Sequence, residues 1–467
     1  MVIQPRGLRQ ALHFTDLSSL SISSVAPIFS VAAAGPAMAQ AAGVDVPLAI
    51  LLIAAPFILC SWIFLSLNQH FPSAGGSYHW SRRILGRSYS NFQAWIVLMA
   101  YLWSIPPILL PAAQFSLAAI GIPATSFNTL LFAGFWALFA AWVLLQGAAI
   151  TARVTQLFLL VEVISVIFMA VLGYSHWGTA VAGAGQFSFA HIHWAGVVVC
   201  MVIAATIVDG WEIDTYAAEE SHQPRRTPGW GGIVGACSVV AYYLLIWPLL
   251  LHQVSLADLQ QSNDSLVLWT GTMAPAFVPW MQIAVIASTA GSLWLTTFIL
   301  SRALFAMGRD NIMPRAFAVL NGAQVPRWGI VIPILLSMIM VSTQLFFPST
   351  RSLFDLVLSA AGFFLVAEFL LDGVNMAYFL SLGHHRVGHH RHLPLPRHRH
   401  WILFLASLLV ILSLSIVEAL FLYFGPRYIA PRIDETVLVF LVAGLLYVLH
   451  LRWRRHQRQG TFVFEAN

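Results

Sequence analysis

Ser21-Ile22-Ser23-Ser24-Val25-Ala26-Pro27-Ile28-Phe29 lies in the middle of the first long apolar run, residues 16–41, and its reading decides the fold. Pro27 has no N–H, and its ring opposes the carbonyl one turn back, so an unbroken helix is disfavoured there. The same proline suits the first turn of a new helix. The run therefore predicts a membrane span built from two half-helices. Five spans later, in residues 196–217, Ile207-Val208-Asp209-Gly210-Trp211-Glu212 places two carboxylates around a glycine at membrane depth. Carboxylates in hydrocarbon cost at least a few kcal/mol and mark function by default. Matching interruptions in two halves of a chain point to an inverted-repeat transporter whose substrate sits at the breaks. A kink at Pro27 or easy packing at Gly210 explains either feature alone, since both residues are common in spanning helices. Neither explains the pair at a five-helix offset with Asp209 and Glu212 alongside.

The rest of the chain agrees with a membrane reading. Its 467 residues are 59% hydrophobic and 9% charged, with a mean hydropathy of +0.79, whereas soluble domains carry about 25% charged residues. The apolar residues come in runs near the ~20 needed to cross ~30 Å of hydrocarbon as helix. A barrel would instead show segments of ~10 residues with alternating polarity. Twelve spans are predicted, at residues 16–41, 46–69, 92–119, 127–147, 153–175, 196–217, 230–254, 277–306, 327–347, 353–382, 401–424 and 434–452. The chain has no lysine, so its 23 basic residues are all arginine, and with the amino terminus inside only Arg351, Arg427 and Arg432 fall outside. That bias is the positive-inside signal of a cytoplasmic membrane protein with both termini in the cytoplasm. The first apolar run continues into a full span, so no cleaved signal peptide is expected.

Several other readings are excluded or left without support. The basic pI of about 9.3 comes from arginines in loops flanking spans, which suits anionic lipid and gives no case for nucleic acid. Cys60, Cys200 and Cys237 lack metal-ligand spacing and are read as small core residues. The segment at residues 384–400, HHRVGHHRHLPLPRHRH, matches no closed zinc pattern, and its arginines would oppose a bound cation. It reads as a cationic loop against lipid, and no metal or other cofactor is assigned. Neither HExxH, GxSxG nor a GxxxxGK[ST] loop occurs, which argues against an embedded enzyme and against ATP hydrolysis.

Four stretches then carry a family resemblance: residues 23–29 (SSVAPIF), 71–86 (FPSAGGSYHWSRRILG), 209–228 (DGWEIDTYAAEESHQPRRTP) and 301–317 (SRALFAMGRDNIMPRAF). On these the chain resembles bacterial amino acid permeases of the amino acid-polyamine-organocation superfamily. The resemblance implies an all-α membrane protein of twelve transmembrane helices, with a five-plus-five inverted repeat (LeuT-like) core and two extra C-terminal helices. The predicted layout is a cytoplasmic amino terminus (1–15), a core at 16–382 with repeats at 16–175 and 196–382, a loop at 383–400, helices at 401–452 and a tail at 453–467. It implies further that Ser23, Ser24, Val25, Ala26 and Pro27, with Ile207, Val208, Asp209, Gly210 and Trp211, line the substrate pocket. Tyr78 would belong to a cytoplasmic gate, and Glu212 matches a glutamate linked to pH response. The chain departs from its relatives at Val25-Ala26-Pro27, where many have a glycine-rich break, and at Glu162, where several sodium-independent relatives have lysine.

The expected substrate is an amino acid or related amine, its carboxylate at the half-helix N-terminus after the first break and its ammonium group on carbonyls of the second. Alternating access is expected to be linked to protons, with Glu162 and Glu212 as candidate carriers. Sodium coupling through Ser292 and its neighbours Ser288 and Thr289, exchange, and a channel or receptor of the same fold are the alternatives. Hydroxyls on a helix often bond their own backbone instead. Trp103 and Trp294 are candidate pocket walls through cation-π contact. Glu418 is expected to pair or snorkel, and Glu219 and Glu220 to form a solvated cluster with Arg225 and Arg226.

Overall fold

The computed structural model describes residues 7–178, 191–346, 350–381, 397–428 and 430–464. Among them the chain is helical, with two isolated bridges and no strand. In order the helices are α1 (Phe14–Val25), α2 (Pro27–Ala42), α3 (Val46–His70), α4 (Gly76–Ile84), α5 (Arg87–Ser104), α6 (Pro106–Ala119), α7 (Ser126–Leu145), α8 (Ala148–Ser175) and α9 (Trp194–Ala205). There follow α10 (Ile213–Tyr216), α11 (Thr227–Gln253), α12 (Leu256–Gln261), α13 (Ser265–Met273), α14 (Val278–Arg309), α15 (Arg327–Ser342), α16 (Thr350–Ser381), α17 (Arg397–Tyr428) and α18 (Ile433–Phe464).

Ten stretches of the described residues are long and apolar enough to cross a membrane. One of them, Phe14–His70, holds 57 residues, about 85 Å of helix against ~30 Å of hydrocarbon, so it cannot be one crossing. It is divided at Ala26 and again at the short 3-10 turn Gly43–Asp45, where Gly43 takes φ +55°. The interruption expected in the span at 196–217 lies at residues 206–212: α9 stops at Ala205, and helix resumes only for the single turn of α10. Within the break Gly210 takes φ +105°, a backbone that cannot continue a right-handed helix.

Burial sorts the helices into an inner set and a lipid-facing rim. The most apolar window of the stretch holding α14 is 89% buried inside the protein, whereas that of α18 is 17%. Around α14 pack α1, α2, α5, α6, α8 and α15. The rim shows apolar side chains outward, such as Leu131, Leu138 and Trp142 on α7 and Val439, Val442 and Leu446 on α18. That surface is what hydrocarbon covers in an integral membrane protein.

Some placements differ from expectation. Cys60 and Cys200 are buried, but Cys237 is exposed on α11 rather than in the core. The carboxyl oxygens of Glu418 are buried with no hydrogen-bond partner, so it neither pairs nor snorkels. Of the His- and Arg-rich loop, residues 383–396 lie outside the described residues. The amino-terminal segment is held by amides of Ala11 and Leu12 on the Glu220 carbonyl, and α18 runs on as helix to Phe464, past the apolar stretch that ends at Trp453.

Candidate functional site: two interrupted helices in contact

The two breaks touch. Between α1 and α2, Ala26 adopts the left-handed conformation (φ 50°, ψ 63°), and Pro27 opens α2 as its first residue. An alanine there is strained by about 1–2 kcal/mol, which the surrounding packing must hold. Between α9 and α10, residues 206–212 are not helical. A Cβ on Gly210 would lie 2.9 Å from the Ser24 carbonyl carbon and 2.9 Å from the Val25 nitrogen, so only glycine lets the second break rest on the first. Cross-links fix the pair: Ser21 Oγ donates to the Trp211 carbonyl at 2.9 Å, and Tyr243 OH to the Ile207 carbonyl at 2.6 Å. The Gly210 N–H donates to Glu212 Oε2 at 2.8 Å, and Tyr101 OH donates to Glu212 Oε1 at 3.1 Å.

A cavity of about 60 Å³ sits at this contact. Of the residues singled out in the sequence, Ser24, Val25, Asp209, Gly210, Glu212 and Ser292 line it. Ser23, Ala26, Pro27, Ile207, Val208 and Trp211 shape the breaks without facing that space; Trp211 packs instead on Phe64 and Phe369. Trp103 and Trp294 are not pocket walls. Trp103 packs on Phe440 of α18, and Trp294 packs on Phe139 and Phe158 and donates to Thr155. Tyr101, Ser104 and Ile108 take that place, with Thr296 and Ile299 of α14 and Leu358 and Leu365 of α16. A second, larger cavity of about 740 Å³ adjoins where α2 ends, and Thr206 and Leu358 line both.

Glu162 lies behind α2 rather than in the cavity. The Phe29 N–H donates to Ser288 Oγ at 3.1 Å, Ser288 Oγ donates to Glu162 Oε2 at 2.7 Å, and the Ile28 amide faces the same carboxylate. The N-terminus of α2 therefore already has a carboxylate nearby, which complements its partial positive charge. Ser292 Oγ reaches across to the Ser24 carbonyl at 3.2 Å, whereas Thr289 bonds its own helix at Val285.

At the end where α1 begins, the protein is closed by ion pairs. Arg302 of α14 forms a two-pronged pair with Glu220 at 2.8 and 3.0 Å, both side chains fully buried, with its guanidinium 3.5 Å above the Phe298 ring. Arg309 pairs with Glu219. The expected partners Arg225 and Arg226 are thus displaced by two arginines from α14, which rise beside residues 218–220. Tyr78 OH donates to Asp310 at 2.8 Å and accepts from Arg82 at 2.7 Å. Burial and the Asp310 carboxylate push the Tyr78 phenol up, while burial and Arg83 push the His79 imidazole down to about 4. Burial alone would raise the Glu219 carboxyl, but Arg309 brings it below its ordinary value. Removing Arg302 leaves Glu220 charged, buried and alone, which costs about 3–5 kcal/mol. Arg302→Met is expected to lower the melting temperature of purified protein sharply, and Arg302→Met with Glu220→Leu to recover much of it. An unchanged melting temperature in the single variant would show the pair to be dispensable.

Comparison with known proteins accords with this geometry. Residues 12–452 match the family model described as amino acid permease. Over 444 residues the chain is 22% identical to the branched-chain amino acid permease BcaP of Lactococcus lactis subsp. cremoris, covering 89% of each chain. Spanning helices that enclose a cavity at two touching breaks, and a match across nearly the whole sequence, lead to one assignment: the chain belongs to the amino acid permease family, whose members are membrane transporters and not enzymes.

Proposed function

We propose that the protein is a secondary carrier of a neutral, aliphatic amino acid, working by alternating access through a LeuT-like core of five plus five inverted helices. Twelve spans make up this reading: α1 with α2, α3, α5 with α6, α7, α8, α9 with α10, α11, α14, α15, α16, and outside the core α17 and α18. The contact of Gly210 with the Ser24–Val25 backbone is the observation that carries it, because it brings both breaks to one cavity. With both termini cytoplasmic, as the arginine distribution argues, the ion-paired end is a closed cytoplasmic gate and the 740 Å³ space is an outer vestibule. The inner cavity, about 60 Å³, is far smaller than the 740 Å³ space beside it, and on this reading substrate passes between them by movement at Thr206 and Leu358, which line both.

The lining supports the substrate class. Asp209 and Glu212 present negative potential with no basic side chain beside them, and Ile108, Ile299, Leu358 and Leu365 offer apolar surface for a side chain. The lactococcal relative's name, a branched-chain amino acid permease, accords with such a pocket. Purified protein is expected to show a thermal shift with leucine, isoleucine or valine and none with an amine-free anion. Saturable counterflow of the labelled ligand in proteoliposomes separates a carrier from a channel. If a dicarboxylate or nucleobase bound while every amino acid and amine failed, this assignment would be wrong.

A further inference from the structure

A second buried polar cluster lies between the cavity and the gate. Glu368 and Asp372, one turn apart on α16, are both fully buried. Glu368 Oε1 accepts from Tyr216 OH at 2.6 Å and from Ser77 Oγ at 2.7 Å. Asp372 Oδ1 accepts from Gln93 Nε2 at 3.0 Å and Asn375 Nδ2 at 2.9 Å, and Asn375 Nδ2 also donates to Gln93 Oε1 at 3.0 Å. Three oxygens of the cluster have no donor: Glu368 Oε2, Asp372 Oδ2 and the amide oxygen Asn375 Oδ1. The last is a buried acceptor that is not an acid, left without a donor beside Asp372.

Among the described residues no cation is paired with either acid. From α3 the nearby titratable group is Cys60, from α5 Tyr89 and Tyr101, from α10 Tyr216, and from the break Glu212 and Asp209. The helix α4, which carries Ser77, also brings Tyr78, His79, Arg82 and Arg83, of which Tyr78 and Arg82 are engaged with Asp310 and Arg83 with His79. Among the packed neighbours, α6 has no titratable residue and α9 only Cys200. Among the described side chains, the one acid of α17 is Glu418 and its arginines Arg399 and Arg427 stand at its two ends, while α18 brings Arg452, which is exposed and bonded to Ser88. None of the ion pairs among the described residues involves Glu368 or Asp372. Two like charges one turn apart, away from water and without a counter-charge, repel strongly at low dielectric. Hydroxyl and amide donors, rather than carbonyl acceptors, point at the carboxylates, which is the wrong lining for a metal cation. A carboxyl proton satisfies both demands, since it removes one charge and supplies a donor where three acceptors lack one.

We propose that Glu368 and Asp372 form a proton-holding site between the substrate cavity and the cytoplasmic gate, carrying one proton in the closed-gate conformation and separate from Glu162. Ser77 precedes Tyr78 of the gate, so opening the gate withdraws one of the two donors to Glu368 and changes the site's hold on its proton. Tyr101, bonded to Glu212, packs edge-on against Tyr216, bonded to Glu368, which brings the site next to the cavity.

The test is infrared titration of purified, substrate-free protein, read at the carboxyl C=O stretch with a deuterium-oxide control. The wild type is expected to show a protonated-carboxyl band that Glu162→Gln retains and that Glu368→Gln and Asp372→Asn each remove or shift. Should neither variant survive purification, Ser77→Ala, which deletes a donor without touching either acid, must shift the same band. An identical set of bands in whichever variants can be measured overturns the proposal. No substrate is needed, so a protein that carries no amino acid but shows the band would sink the transport assignment and leave this site standing.

Discussion

Gly210→Val is expected to lower transport by about 10- to 100-fold while leaving protein in the membrane near its normal amount. Two costs act together. A β-branched residue at φ +105° is held in a backbone region that costs about 1–3 kcal/mol, and each ~1.4 kcal/mol is a factor of ten in a rate or equilibrium. The new Cβ would also sit 2.9 Å from backbone atoms of Ser24 and Val25, and no side-chain rotation relieves a clash with backbone. The second break must then move off the first, and the cavity between them changes shape. Folding of the bundle draws on many other contacts, among them α11 on α3 and α16 on α17, so expression should largely survive. Pro27→Leu is a milder companion. Leucine suits the first turn of α2 but frees φ and restores an N–H, letting α1 and α2 approach one continuous helix. Uptake normalised to detergent-stable protein is the measurement. If transport and stable protein fall together, both residues serve packing alone.

Local chemistry was legible in the sequence, and long-range partnership was not. Pro27 announced a helix start because the reason is intrinsic to proline, and Asp209-Gly210 announced a break because acids and glycine oppose a continuous span. That the two breaks touch depends on packing of residues far apart in the chain, which no local rule encodes. The pairing of Glu219 and Glu220 shows the same limit from the other side. Arg225 and Arg226 are near in sequence, but α14 delivers Arg309 and Arg302 in space. Periodicity held more than the motifs did. Tyr101, Ser104 and Ile108 fall at helical spacing on one face, as do Ser292, Thr296 and Ile299, and both sets line the cavity. Glu368 and Asp372 are likewise a same-face pair visible in sequence. Trp103 and Trp294 misled because a large aromatic ring suits a packed core as well as a pocket.

Glu162→Gln is expected to flatten the pH dependence of transport while leaving substrate exchange at least partly intact. The side chain stands at the N-terminus of α2, where a negative charge is favoured by up to ~2 kcal/mol in a partly buried site, and it is tied to that terminus through Ser288 and Phe29. Its other oxygen, Oε1, has no hydrogen-bond partner and is open to a proton. Gaining that proton removes the charge that complements α2, so loading Glu162 and moving α2 against α14 are one event on this reading. Glutamine keeps the size and the acceptor for Ser288 but fixes the neutral form, which separates exchange from net proton-driven uptake. Sodium remains the competing ion, because Ser292 reaches the Ser24 carbonyl nearby and a charged Glu162 would attract a cation. Against it, the groups bonded to Glu162 or facing it are donors, a hydroxyl and a backbone amide, whereas a bound sodium ion would need acceptor oxygens. Uptake in proteoliposomes under separately imposed proton and sodium gradients decides the matter. Acceleration by an inward proton gradient that Glu162→Gln abolishes is the expected result. Acceleration by sodium alone would overturn the assignment, and indifference to both gradients would make the protein an exchanger or facilitator.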